Sequence, residues 1–133
     1  MNSKTAAFAS FSLAISVILG AWNAHGMEAL VRNGSIDLKY LKTFHTGVEY
    51  QFLSSLGLLA TSMLPNIKQK LFTAGIWLII MGMILFCLSL YLLSFHQILG
   101  AGWKILGAIA PIGGTSLAAG WVFIGISFLK FKP

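Results

Sequence analysis

Charged residues are scarce in this chain, and acidic ones most of all. Aspartate and glutamate together number three and lysine and arginine nine, so only 9% of the 133 residues are charged. A water-soluble domain of this size carries about 25% charged residues, so the composition excludes an ordinary soluble domain. The net charge of +6 does not indicate a nucleic-acid-binding surface, because the basic residues are scattered at the ends of apolar segments.

Cysteine and the common catalytic motifs are also nearly or wholly missing. Cys87 is the one cysteine, which excludes an intramolecular disulfide and a C-x-x-C zinc site. It stands inside an apolar stretch, where we expect it to act as a small buried apolar residue. No Ser-His-Asp arrangement, phosphate-binding loop or pair of carboxylates is recognisable. We therefore expect no enzyme, no catalytic residue, no bound metal and no cofactor.

Apolar sequence fills nearly all of the chain, in stretches at 5–24, 44–64, 71–95 and 105–129. A bilayer core of about 30 Å needs about 20 apolar residues to cross as a helix. We therefore predict an all-α membrane protein with a single transmembrane domain over residues 1–133. Its predicted fold is an antiparallel bundle of four transmembrane helices, at about 5–24, 36–64, 71–95 and 104–129.

Polar residues, glycine and proline mark the predicted ends of these helices. Asn23, His25 and Gly26 are expected to close the first helix, because glycine frequently terminates helices. Pro65 is expected to end the second, since proline interrupts helices. The connector that follows is short, which makes the second and third helices antiparallel neighbours.

Small residues recur at every fourth position on the first and fourth helices and at every seventh on the third. In lipid, small residues let helix backbones approach closely and gain dispersion contacts. The stripes therefore pack either inside the bundle or against another protomer. The predicted helix-packing residues are Gly20, Gly82, Gly114 and Ala118.

Proline also lies within the fourth helix. Pro111 removes one backbone hydrogen bond, and Gly113 lowers the stiffness nearby. We predict that the helix is kinked at Pro111, and two interpretations stay open. Pro111 and Gly113 form either a hinge or a fixed kink that serves packing.

The histidines and acids fall on or near the side of the membrane opposite the termini. Asn23, His25, His45, Glu49 and Gln51 form the candidate polar cluster on that side. One interpretation is structural, with Glu49 paired to a nearby histidine or lysine. A second is a small cavity for a proton, an ion or a small solute. A third is a metal or haem site, which His45 and Glu49 at i, i+4 suggest only weakly.

Several blocks of the chain resemble one family of small membrane proteins. The sequence is similar to the YgdD/YwdK-type proteins, a bacterial family of unknown function (domain of unknown function 423) with relatives in mitochondria. The blocks that carry the resemblance follow the same order over nearly the whole chain: 20–26, 44–51, 89–91, 106–114 and 120–121. The resemblance implies four transmembrane helices in an inner membrane and no established activity.

Lysine and arginine counts predict the orientation. Five of them stand on the side of the termini and four on the other side. The positive-inside rule therefore favours both termini in the cytoplasm. We expect a multi-pass protein of the bacterial inner membrane, with the mitochondrial inner membrane as the second choice.

The favoured function is that of a structural or accessory membrane protein. It would act in the lipid bilayer through self-association, as a homo-oligomer, or by binding another membrane protein, with no role for nucleic acid. The alternative is a small-solute or proton-coupled transporter or channel. Its polar mouth would lie at His25, His45 and Glu49.

Overall fold

The computed structural model describes residues 2–64 and 70–130, and every regular element within them is helical. A π-helical segment, Asn23–Met27, joins the first two helices, and a 3₁₀ helix, Ala101–Ile105, leads into the last. The α-helices are α1 (Ser3–Trp22), α2 (Glu28–Arg32), α3 (Leu38–Ser62), α4 (Lys70–Ser94), α5 (His96–Leu99) and α6 (Leu106–Leu129).

Three helical runs in these residues are long and apolar enough to cross a bilayer: Ser3–Arg32, Lys70–Ser94 and Ala101–Leu129. The prediction of an all-α chain with membrane-spanning helices is confirmed to that extent. The fourth long helix, α3, has 25 residues and so reaches about 38 Å at 1.5 Å per residue. It lacks the apolar composition of the other three, because charged and polar side chains occupy much of its first half.

The first helical run is longer than the sequence predicts. Asn23, His25 and Gly26 do not end it, because the chain stays helical through the π-helical segment and α2 as far as Arg32. Gly26 instead makes room for an aromatic ring. A Cβ atom built on Gly26 would lie only 2.5 Å from Cε2 of Trp22. The glycine therefore serves side-chain packing within the helix rather than its termination.

The turn between α2 and α3 contains the glycine that does end the run. Gly34 has φ +77°, a left-handed conformation that glycine adopts without strain. The backbone N–H of Ser35 donates to the carbonyl of Leu30 at 2.9 Å, which is the bond expected of a Schellman cap. The backbone N–H of Asp37 donates to Gln97, whose amide donates back to the Asp37 carboxylate, both at 2.8 Å. This pair ties the turn to α5.

α3 lies between α1 and α4 and runs antiparallel to both. At one end of α3, the backbone N–H of Asn2 donates to the carbonyl of Ser62 at 3.0 Å. Toward its other end, the Phe44 ring lies 5.6 Å from the ring of Trp22 and 6.0 Å from that of Phe95. The predicted stop at Pro65 lies outside the described residues, and the α-helical conformation of α3 ends at Ser62.

α4 and α6 pack backbone against backbone through glycine. A Cβ atom on Gly113 would lie 2.4 Å from the backbone nitrogen of Phe86. One on Gly82 would lie 2.6 Å from the backbone nitrogen of Leu117, and one on Gly120 would be equally crowded. Contacts this close are possible only where the side chain is a hydrogen atom. This interface is therefore one in which small residues bring two helices together, as expected in lipid.

The other predicted packing residues make looser contacts. A Cβ atom on Gly20 would lie 3.5 Å from the Val48 side chain of α3, and one on Gly114 would lie 3.5 Å from the ring of Phe86. Ala118 is exposed, whereas its neighbour Leu117 is buried. The reason is geometric, because each step of four residues turns about 40° around an α-helix. A stripe at every fourth position therefore drifts off the buried face, which alternates steps of three and four.

Pro111 lies inside α6, and the α-helix continues through it to Leu129. The Thr115 hydroxyl donates to the Pro111 carbonyl at 2.8 Å. Gly113, the other residue of the predicted hinge, is buried against the backbone of α4. The kink and the hinge stay predictions.

The outside of the molecule carries many large apolar side chains. Phe11 is 72% exposed and Ile18 is 68% exposed, and both belong to α1. A water-soluble protein rarely exposes apolar surface so widely, whereas lipid-facing helices require it. The exterior therefore agrees with a membrane environment.

Candidate functional site

A buried polar junction joins α1, α3 and α4 and comprises Ser12, Gln51, Ser55, Met83 and Tyr91. The Gln51 amide donates to the carbonyl of Ser12 at 3.0 Å and lies 3.3 Å from its hydroxyl. The Tyr91 hydroxyl donates to the amide oxygen of Gln51 at 2.6 Å. The Ser55 hydroxyl lies 2.7 Å from that of Ser12 and 3.6 Å from the Met83 sulfur. A single amide on α3 thus links both neighbouring helices.

The hydrogen bonds of this junction hold α1, α3 and α4 together. Its polar groups are bonded to one another, which offsets the cost of burying them away from water. It contains no carboxylate, histidine or lysine side chain. The sequence pointed to Gln51 but not to Ser12, Ser55 or Tyr91. No pattern within one helix shows which polar residues of another helix lie at the same depth.

An aromatic cluster lies next to the junction, toward the end of the molecule that holds the α2–α3 turn. The ring of Phe44 lies 4.8 Å from that of Tyr91, and the ring of Trp22 lies 5.8 Å from that of Phe95. Gly26 gives the Trp22 indole its place in this cluster. The cluster therefore connects the π-helical segment to α3 and α4.

The predicted polar cluster separates into buried and exposed residues. Gln51 and Asn23 are buried, whereas His25, His45 and Glu49 are exposed on the protein surface. Glu49 and Gln51 are two residues apart, which is about 200° around an α-helix, so they face opposite sides of α3. The five residues thus do not converge on one site.

Asn23 is the one buried residue of this set with an unsatisfied atom. It is 7% exposed, and within residues 2–64 and 70–130 its side-chain oxygen has no hydrogen-bond partner. It begins the π-helical segment, and π-helical insertions are frequent at functional sites.

Ion pairs and metal ligands are sparse in the part of the chain that the structure describes. One ion pair occurs there, between Arg32 and Glu28 at 3.6 Å, and both side chains are exposed. Glu49 forms no ion pair with His45, His25 or Lys42 within these residues. No three His, Cys, Asp or Glu side chains among them come together as metal ligands would.

His45 and Glu49 belong instead to an exposed stripe along α3, which we term the α3 outer face. Its six residues are exposed and follow a seven-residue pattern, in which one position, Leu59, is half-buried and packs on the core. The half nearer the start of α3 is charged or polar, and the half nearer its end is apolar. A heptad search of α3 alone would have found this stripe. It consists of Lys42, His45, Glu49, Phe52, Leu56 and Met63.

Several bacterial proteins are similar to this chain over most of its length. The sequence model of a family described as a protein of unknown function (DUF423) matches residues 19–114. UPF0382 membrane protein YwdK of Bacillus subtilis (strain 168) is 40% identical over 120 residues, which cover 88% of this chain and 89% of YwdK. A UPF0382 membrane protein of Haemophilus influenzae is 32% identical over 134 residues, which cover 99% of this chain and 98% of that protein. No solved structure matches the chain.

Proposed function

This chain belongs to the DUF423 family, and we propose that it is a four-helix structural or accessory protein that pairs with a second copy of itself. The family relatives named above are bacterial membrane proteins, and three helices here are apolar enough to span a bilayer. The pairing surface in this proposal is the α3 outer face. Catalysis and a cofactor form no part of it.

We propose that α3 crosses the membrane together with its neighbours. Asn2, which precedes α1, is hydrogen-bonded to Ser62 at the end of α3, and Trp22 at the end of α1 packs on Phe44. The two helices therefore run side by side over that length. If α1 spans the bilayer, α3 must lie at the same depth. Its buried polar side chains are bonded to protein, as in the case of Gln51, and so do not meet lipid.

Glu49 faces outward at a depth well inside the length of α4. Its neighbour Tyr50 packs on the ring of Phe86, with the ring centroids 5.1 Å apart. Phe86 stands eight residues before the end of α4 at Ser94, which is about 12 Å at 1.5 Å per residue. Glu49 therefore lies at the level of a charge-free part of α4 while facing outward. An acidic side chain in contact with lipid costs about 2.5–3.5 kcal/mol at the bilayer centre and less toward its surface.

A second copy would cover this carboxylate and shield it from lipid. Two copies inserted in the same direction are related by a two-fold axis along the membrane normal, so equal depths meet and the two Glu49 carboxylates would approach each other. Each would also lie about 6 Å in depth from His45 of the other copy and about 10 Å from Lys42, whose positive charge would offset part of the repulsion. The apolar half of the stripe would meet itself. Its heptad spacing suits two parallel helices crossing at about +20°.

Cysteine crosslinking in native membranes tests this surface. The native thiol is removed as Cys87→Ser, and a cysteine is placed in the stripe as Leu56→Cys. Leu56 is 48% exposed, and the matched control is Val122→Cys on α6, where the native residue is 57% exposed. We expect mild oxidation to give a covalent dimer with Leu56→Cys and little with Val122→Cys. Equal dimer yields from both variants would refute pairing through α3.

We further propose that the protein lies in the bacterial inner membrane with both termini in the cytoplasm. The basic residues favour this orientation, with five on the side of the termini and four on the other. Lys68 and Lys132, two of those five, lie outside the described residues. A reporter that is active only in the cytoplasm should work when fused to either terminus. Activity from only one terminus would contradict an even number of crossings.

The transporter alternative takes a different form in this geometry. Because His45 and Glu49 face away from the interior of the chain, a polar path along them would have to run between two copies. Proton flux into proteoliposomes that is abolished by Glu49→Gln would favour this alternative. Flux that the substitution leaves unchanged would leave the stripe a pairing surface.

A further inference from the structure

A groove runs between α1 and α4, because these two helices stand apart. No described Cα atom of α1 lies within 8 Å of one in α4, and α3 forms the floor between them. The groove has two parts. The outer part, next to Lys4, has a volume of about 430 Å³, and the deeper part, next to Gln51, has a volume of about 370 Å³. Phe8 borders both parts, which follow one another along α1 and α4.

The groove is long enough to hold one extended acyl chain. On α1 it extends from Lys4 in the outer part to Ile15 in the deeper part, and on α4 it extends from Phe72 to Tyr91. At 1.5 Å per residue these distances are about 17 Å and about 28 Å, so the groove reaches over at least half of a hydrocarbon core of about 30 Å.

The walls of the deeper part are apolar, and the polar groups of the floor are already bonded. Phe11, Ile84 and Leu88 line the walls. Gln51 in the floor is bonded within the polar junction, and the Ser62 hydroxyl donates to the carbonyl of Leu59 at 2.6 Å. An occupant of the groove therefore needs no hydrogen-bonding group along its length, as is true of a hydrocarbon chain.

The mouth of the groove favours an anionic group. Lys4 lines it, and Lys70 and Lys130 stand at the same end of the molecule, whereas none of the three acids of the chain does. Trp77 also lines the mouth and is 61% exposed, as is typical of a residue at the membrane–water boundary. A phosphate ester at this end, continued by an acyl chain, matches both the charge and the apolar walls.

We infer that the groove between α1 and α4 binds one anionic phospholipid, with its headgroup at Lys4 and one acyl chain extending along α1 toward the polar junction. This site is separate from the α3 outer face and does not depend on pairing between copies. It also differs from general contact with lipid, because a defined cleft and a defined lysine select the bound molecule.

Photocrosslinking with a lipid probe tests this inference. The purified full-length protein is placed in phosphatidylcholine vesicles that contain a small share of phosphatidylglycerol with a photoreactive acyl chain. Peptide mapping should concentrate the label on the facing walls of α1 and α4. Unlabelled phosphatidylglycerol should compete with the probe, and additional phosphatidylcholine should not.

Two lysine variants distinguish lipid binding at this site from general electrostatic attraction between the protein and anionic lipid. Lys4→Gln and Lys130→Gln each remove one positive charge from the same end of the molecule. We expect Lys4→Gln to reduce labelling about fivefold, the effect of one basic side chain near an anionic headgroup, and Lys130→Gln to leave it unchanged. Equal labelling of the two variants would overturn the inference. Label spread over all helices in proportion to exposed area would overturn it as well.

A variant that fills the groove provides a second measurement. Ile80 lines the outer part, and Ile80→Trp would place an indole where the acyl chain is expected. Labelling should then fall while the helix content stays unchanged. If a folded Ile80→Trp protein is labelled by the probe as strongly as the native protein, the acyl chain does not bind in the outer part of the groove. If this variant fails to fold, the two lysine variants decide the question.

Discussion

Two adjacent glycines in α6 should respond in opposite ways to the same substitution. In Gly113→Ala the new Cβ atom would lie 2.4 Å from the backbone nitrogen of Phe86 and 2.8 Å from its Cα atom. An ordinary contact needs about 3.4 Å or more, so α4 and α6 would have to separate by about 1 Å near this point. Backbone atoms cannot rotate away as the end of a side chain does, and the whole interface is therefore affected.

The magnitude follows from two opposing effects. Overpacking of a well-packed core costs about 1–3 kcal/mol, and a clash with backbone belongs at the upper end of that range. Replacing glycine by alanine within a helix stabilises it by about 0.8–1 kcal/mol. We therefore expect Gly113→Ala to lower the free energy of unfolding by about 2 kcal/mol.

Gly114→Ala is the matched control, because it has the same propensity effect without the clash. Its Cβ atom would lie 3.5 Å from the ring of Phe86, which is an ordinary contact. This variant should be as stable as the native protein or up to about 1 kcal/mol more stable. Titration of the helical circular dichroism with a denaturing detergent, in mixed micelles, measures the difference. Equal stabilities, or a larger loss for Gly114→Ala, would refute the packing described for α4 and α6.

Two further predictions concern the polar junction and the aromatic cluster. Gln51→Ala leaves the Tyr91 hydroxyl and a Ser12 acceptor without their partner, so it should destabilise the protein by about 1–3 kcal/mol. Tyr91→Phe should cost about 1 kcal/mol or less in the same titration, and an equal cost for both would contradict the central place of the amide. Gly26→Ala should displace the Trp22 indole and weaken the near-ultraviolet circular dichroism, whereas Gly125→Ala, with open space around it, should not. An unchanged spectrum for Gly26→Ala would contradict the described position of the indole.

The sequence predicts the helices well because membrane spans need long apolar runs, and the predicted extents of the last two agree with α4 and α6 to within two residues. The predicted end of the first helix, at Asn23, His25 and Gly26, is wrong, because the sequence does not show which glycine ends the helix. Gly26 and Gly34 are both glycines in a polar stretch, and only the tertiary structure shows that Gly26 accommodates an indole while Gly34 adopts positive φ.

The candidate site shows the same limit. Composition indicates that polar residues gather toward one side of the membrane, and the structure places Gln51 and Glu49 on opposite faces of α3. The partners of Gln51 lie on α1 and α4, and their relative depth depends on how three helices pack. The α3 outer face, in contrast, follows from the spacing within a single helix.

Native mass spectrometry of the protein released from mild detergent tests the pairing through α3 most directly. We expect a native assembly of two 14.4 kDa chains. We expect monomers for Glu49→Lys, which makes the polar half of the α3 outer face wholly basic, and dimers for the control Glu28→Lys in α2. A native protein that is monomeric under all mild conditions would contradict the proposed pairing, as would a dimer that survives Glu49→Lys.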